Sequence, residues 1–349
     1  MENSYGVFNY FGWPTVARLQ DGTLALAASG FRMRHICPFG KGVISYSSDE
    51  GQSWTLPAPV IDTPLDDRDS GIVAFGKNRA IFTSFNNSIA AQRKWATKLE
   101  PGVSRTLTEA YLGFIASMPD SEALLGSTYR MSEDSGRTFG PVRLSPVTCP
   151  HGPAPAPDGS LFYIGRRFSS DDQFDDGREP FLLCCRLNEN DEFEPVSSIP
   201  NIPDGRGGCF NSCEPHALFL SQNRILVHIR VQGGCFTIYQ SISEDGGNSF
   251  SRPVRLLSEN GGAPAHLLKL STGRLLSVYG YRNPPYGIRY MVSEDEGASW
   301  RTDLVLDDTA PCADLGYPSS VELQDGSILT VYYQRNEDTA KIWGIRWMI

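Results

Sequence analysis

The chain has no run of basic residues and no arginine-rich arm. Its 349 residues carry 31 Lys and Arg against 40 Asp and Glu, a formal charge of −9. A nucleic-acid partner demands a basic stripe facing the phosphates, so none is expected. No apolar stretch approaches the roughly 20 residues a membrane helix needs, and no membrane contact is expected either. The opening MENSYGVFNYFGWP lacks a basic segment followed by an apolar one, which points away from a secretory leader and towards the cytoplasm. The eight cysteines (Cys37, Cys149, Cys184, Cys185, Cys209, Cys213, Cys235, Cys312) lack the spacing of a disulfide scaffold and read as reduced, mostly buried thiols. Cys209, Cys213 and His216 stand as Cys-x3-Cys-x2-His, without the paired spacing of a zinc site, so neither metal nor cofactor is expected. With 40% hydrophobic and 20% charged residues, the composition also argues against disorder.

What is present is a repeated turn. SSDEGQSW (from Ser47), SEDSGRTF (from Ser132), SEDGGNSF (from Ser243) and SEDEGASW (from Ser293) share the pattern Ser-x-Asp-x-Gly-x-Ser/Thr-aromatic. Asp bonds the backbone of its own turn, Gly supplies a positive φ, and the aromatic pins the turn to a sheet. Periodic motifs of this kind signal an array architecture.

Around these turns runs a second repeat of apolar strand, turn and apolar strand. The copies begin at Pro14, Ser70, Gly152, Glu214, Pro264 and Tyr317, with Asp21-Gly22, Asp158-Gly159 and Asp325-Gly326 as hairpin signals. LNENDEF (from Leu187) reads as a degenerate signature turn in the third copy. The last copy ends at KIWGIRWMI, one strand short, and the N-terminal SYGVFNY can supply that strand. The expected fold is therefore all-β: a single domain over 1–349, a six-bladed β-propeller whose N-terminal strand closes the last blade. Residues 87–123 form an insertion of partly helical character between the second and third strands of blade two, a lid, an oligomer interface or an inert decoration.

In a propeller, loops entering each first strand and leaving each second strand gather at one mouth, while the signature turns lie at the far face. Entering strands bring Asp69, His151, Glu214, His216, His266, Asp314 and Tyr317 to the mouth; leaving strands bring Arg32, Arg34, His35, Arg166, Arg167, Arg230, Arg282 and Arg335. Converging planar guanidinium groups suit a carboxylate or similar anion. Arg335, and one of Arg166 and Arg167, also read as caps on strand ends.

At these positions the chain resembles the sialidase superfamily over essentially its whole length. The signature turns look like that family's Asp boxes. Glu214 in NSCEPHA, Arg230 at the end of the same hairpin, Arg282 in YGYRNPPYGIR and Tyr317 in DLGYPSS match the family's active-site glutamate, two arginines and tyrosine in order and spacing. The resemblance implies a glycosidase in which Glu214 activates a Tyr317 nucleophile and arginines clamp a substrate carboxylate. Two departures stand out. The family's first-blade arginine is Gly12 here, and the stretch that holds its acid/base aspartate reads FRMRHICPFGKG, with His35 but no acid.

The resulting reading names Tyr317, Glu214 and His35 as catalytic. Arg230, Arg282, Arg32, Arg34, Asp69, His151, His216 and His266 are named as substrate-binding. The substrate would be a small oligosaccharide or glycoside ending in an acidic sugar. A lyase using His35 and Tyr317 as acid and base, and a glycan- or protein-binding propeller without catalysis, stay open as alternatives.

Overall fold

Short apolar runs punctuated by Asp-Gly and Ser-x-Asp turns build β-meanders, and the meanders assemble into an all-β propeller. The computed structural model describes residues 6–168, 180–337 and 339–349. The first meander holds β1 (Tyr10–Arg18), β2 (Leu24–Arg32), β3 (Lys41–Ser47) and β4 (Ala58–Ile61). The next holds β5 (Arg68–Phe75), β6 (Arg79–Phe85), β7 (Ser127–Ser132) and β8 (Arg143–Ser145), with α1 (Ile89–Ala96) and α2 (Val103–Ala116) between β6 and β7. Then come β9 (Val147–Thr148), β10 (Ala154–Pro155), β11 (Leu161–Arg167), β12 (Leu182–Leu187) and β13 (Phe193–Ile199). They are followed by β14 (Asn211–Phe219), β15 (Ile225–Gln232), β16 (Thr237–Ser243) and β17 (Val254–Arg255). The chain continues with β18 (Ala265–Lys269), β19 (Leu275–Tyr281), β20 (Gly287–Ser293) and β21 (Arg301–Asp307), and closes with β22 (Leu315–Glu322), β23 (Ile328–Asn336) and β24 (Thr339–Trp347).

Within each meander the strands pair antiparallel in chain order, except that β9 pairs with β11. The innermost strands touch in succession, β1 to β5, β5 to β10, β10 to β14, β14 to β18 and β18 to β22, and β22 returns to β1. The apolar core accordingly lies between meanders. Leu19, Ala27 and Ile44 of the first pack on Ile72, Ala80 and Phe82 of the second. Val278 and Ile288 of the fifth pack on Leu315, Ile328 and Tyr332 of the last. Strands covered on both faces are apolar throughout, which explains runs such as LALAA in β2.

The start of the chain departs from expectation. Residues 6–9 carry no strand, and the ends are tied by a single parallel bridge between Tyr10 and Ala340. Ser4 and Tyr5 of the expected closing strand lie outside the described residues.

The four signature turns join third strands to fourth strands, and their chemistry is uniform. In the first, Asp49 accepts from Ser53 N (2.9 Å) and Ser53 Oγ (2.5 Å), while Ser47 Oγ donates to Asp49 and accepts from Gly51 N (2.9 Å). These bonds hold Asp49, Asp134 and Asp295 at a pKa of about 2.

The insertion begins at Ser88, whose hydroxyl caps α1 by accepting from Ala91 N. Ile89, Ala96, Leu112 and Ile115 bury against Leu65. α2 leaves Val103, Leu107 and Phe114 exposed. No described helix is long and apolar enough to cross a membrane.

Candidate active site

Four innermost strands break register with their neighbours. β1 does so between Gly12 and Thr15, β5 between Arg68 and Gly71, β14 between Cys213 and His216, and β22 between Gly316 and Ser319. Inside each break one side-chain-bearing residue is left-handed: Trp13 (φ 54°), Asp69 (φ 48°), Glu214 (φ 45°) and Tyr317 (φ 50°). Such conformations cost about 1–3 kcal/mol each and concentrate where a side chain must be re-aimed. Pro14, Pro215 and Pro318 follow three of the four, a residue with no N–H to withdraw from the ladder. The device turns Asp69, Glu214 and Tyr317 into one cavity of about 290 Å³.

In that cavity the Tyr317 hydroxyl donates to Glu214 Oε1 at 2.8 Å. Arg230 Nη1 donates to Glu214 Oε2 at 2.5 Å and to the Tyr317 hydroxyl at 3.0 Å. Burial and the Glu214 charge push the Tyr317 pKa well up, against Arg230 and Arg282, so the group is a phenol at neutral pH. Glu214 is thus the acceptor for a phenolic proton, and Arg230 steadies whichever oxygen carries the charge. Arg282 stacks 5.7 Å from the Tyr317 ring, but its nitrogens donate to the carbonyls of Leu315 (2.9 and 3.1 Å) and Gly262 (3.4 Å).

Asp69 is buried on the same cavity wall with Oδ1 unpartnered. Burial pushes its pKa up to about 7; Arg68 opposes the shift and Glu214 adds to it. Arg68, beside it, lies over the Trp13 ring at 4.7 Å and the Phe85 ring at 5.9 Å. Neither Trp13 nor Arg68 stood out in the sequence. The shared X-Pro step of Trp13, Glu214 and Tyr317 was the one available signal for the former, and no local pattern marks the latter.

His35 lies elsewhere. It lines an adjacent cavity of about 480 Å³ with Arg34, Asp314 and Arg335, and Trp95 of α1 borders both cavities. Trp13 packs against both His35 (4.9 Å) and Tyr317 (6.3 Å). His35 Nδ1 is 3.0 Å from Asp314, and its side chain is 44% exposed. The surrounding protein pushes its pKa down despite that partner, so it is neutral at pH 7. Burial alone would raise Asp314; His35, Tyr333 and Tyr10 outweigh it and hold the carboxyl at about 2.

Several expected mouth residues are corrected. Arg32 is fully buried, ion-paired with Asp66 at 2.5 Å and bonded to Ser29 Oγ and the His35 carbonyl, so no donor is left facing a substrate. Arg34 holds the insertion, donating to Thr108 Oγ1 at 2.9 Å. His151, His216 and His266 sit inside the channel as a buried trio, with ring centroids 4.3–5.5 Å apart. Leu267 N donates to His216 Nδ1, and Ser320 N to His266 Nδ1. Burial pushes all three pKa values down, His216 to about 3. All three are buried, and none lines the cavity of Glu214 and Tyr317. Among the described residues no cluster of His, Cys, Asp and Glu is arranged to hold a metal ion.

A family model described as a BNR repeat-like domain matches residues 112–330. None of the curated proteins matches the chain. Among solved structures, it is similar to a protein of unknown function from Dyadobacter fermentans (17% identity, TM-score 0.76, covering 100% of this chain and 97% of that one). It is also similar to the NanB sialidase of Streptococcus pneumoniae (14% identity, TM-score 0.70, 100% and 70%) and to the α-L-arabinanase of Penicillium chrysogenum (13% identity, TM-score 0.63, 99% and 98%). With more than half of its length matched by that model, on a propeller whose turns repeat the same bonds, the chain belongs to the BNR repeat-like family.

Proposed function

We propose that the protein is a glycoside hydrolase built on six blades, releasing a terminal sugar that carries an acidic group. The observation that carries this reading is the Tyr317–Glu214 hydrogen bond, bridged by Arg230, at the wall of a cavity. An anomeric carbon bearing a carboxylate repels an anionic attacker. A phenol relayed to a carboxylate base delivers oxygen without presenting a full charge, as sialidases do.

In the first step the Tyr317 oxygen bonds to the anomeric carbon as its proton passes to Glu214. The bond to the leaving group breaks, and Asp69, protonated near neutrality, gives that oxygen its proton. Water then attacks the same carbon, Asp69 takes its proton back, and the Tyr317 oxygen leaves with the proton returned from Glu214. Asp69 fits the acid role better than His35, because it shares the cavity of Tyr317 while His35 faces another. The same separation removes support from an elimination pairing His35 with Tyr317.

Aryl glycosides of N-acetylneuraminic and glucuronic acid test the proposal. Release of the aryl group from at least one is expected, with Glu214→Gln lowering kcat roughly 10²–10⁴-fold and Tyr317→Phe at least as much. No release from either, or full activity in Tyr317→Phe, contradicts it.

A further inference from the structure

Folded proteins leave few buried donors unsatisfied, and an unpaired buried cation is the rarest of them. Arg68 is such a group. It is 8% exposed, its Nε is buried without a partner, and its guanidinium has no hydrogen bond or ion pair among the described residues. Its contacts are the ring faces of Trp13 and Phe85, which hold the planar group in place without using its N–H donors. It lines the cavity of Glu214 and Tyr317.

The other arginines near this cavity are engaged. Arg230 donates to Glu214 and Tyr317, and Arg282 to backbone carbonyls. Arg166 donates to Asn211 Oδ1 and the Ser212 carbonyl, and Arg167 to the Pro180 carbonyl. Nor can position 12 supply a long cation: a Cβ on Gly12 would lie 3.3 Å from the Tyr10 ring and 3.6 Å from the Tyr333 ring.

We propose that Arg68 receives the anionic group of the substrate, the specificity contact that separates an acidic sugar from a neutral one. The inference rests on the hydrolase reading for the identity of the cavity. It adds a choice the fold does not make, since similar folds occur in a sialidase and in an arabinanase. Among the described residues the wall carries Arg68, Arg166 and Arg167 beside two carboxyl groups, Asp69 and Glu214, and Arg68 lies over the Trp13 and Phe85 rings. Burial works against the charge on Arg68, but the Asp66 and Asp69 carboxyls outweigh it and the group stays cationic. Arg68 follows the chain into β5, so the anion contact comes from the second meander while Trp13 of the first fills the space beneath it.

The test is calorimetric binding of methyl glycosides of N-acetylneuraminic and glucuronic acid, each against its own methyl ester, which removes the charge and little else. The wild-type protein is expected to bind at least one free acid roughly ten- to hundredfold more tightly than its ester, the scale of charge-assisted bonds. Arg68→Met should abolish that preference while ester binding persists, and persisting ester binding reports an intact fold. Arg68→Lys, which keeps the charge but loses the fork, should retain part of it. Equal or absent binding of acid and ester by the wild type, or an undiminished preference in both variants, overturns the assignment. A protein that discriminates acid from ester yet cleaves neither contradicts the hydrolase reading alone; one that cleaves without discriminating contradicts the role of Arg68 alone.

Discussion

Asp69 is a carboxyl group held at a pKa of about 7 by burial, and both its chemistry and its cost depend on pH. In the proposed mechanism it is the acid of the first step and must be protonated, so activity should fall as pH rises through about 7, and Asp69→Asn should lose most of the rate together with that limb of the pH profile. An unchanged limb in Asp69→Asn would assign the titration to another group. The unfolded carboxyl titrates near 4. Between that value and about 7 the folded state holds a proton that the unfolded state releases. The contribution of this group to stability is therefore fully present below pH 4 and is lost as pH rises to 7; buried Asp67, also pushed up to about 7, acts in the same direction. Asp69→Asn should flatten the fall in urea-unfolding free energy over that range in part, and an unaltered slope would contradict the shift. At this scale the sequence was readable where order along the chain carried the meaning, as for Glu214, Arg230 and Tyr317. It was not readable where meaning depends on depth or on missing partners. His216 is two residues past Glu214 yet lies inside the channel, Arg32 ends a strand yet is consumed by Asp66, and Arg68 stands out only by its lack of a hydrogen bond or ion pair among the described residues.

At the scale of elements, the signature turns are local devices. Their Asp, Gly and Ser bond within a span of a few residues, which is why the spacing alone revealed them. Gly51 shows how little freedom they leave. Its φ is +82°, and a Cβ there would lie 2.7 Å from the Leu329 side chain of β23. Gly51→Ala should destabilise the protein by about 1–3 kcal/mol in urea unfolding, combining left-handed strain with the displaced leucine; a loss below about 0.5 kcal/mol would contradict the packing described. The bulges of the innermost strands are the opposite case. They join residues on different strands, so their consequence, one cavity shared by Asp69, Glu214 and Tyr317, arises only once the strands are arranged. The insertion was legible as helical by its residues, but the placing of Trp95 at the border of both cavities was not.

Over the whole molecule, apolar strands covered on both faces make each meander depend on its neighbours, and the ring of innermost strands brings residues 69, 214 and 317 together from distant parts of the chain. The signature turns lie away from that cavity and organise the sheets that present it. The architecture thus converts strand order into a site in which the Tyr317 hydroxyl donates to Glu214, and the proposed mechanism makes that pair nucleophile and base. A slowly released fluorinated glycosyl fluoride of an acidic sugar, followed by peptide mass spectrometry, tests that claim most directly. The glycosyl mass should appear on the Tyr317 oxygen and be absent from Tyr317→Phe. A label on Glu214 or Asp69 instead, or turnover with no covalent label at all, would contradict the tyrosine nucleophile.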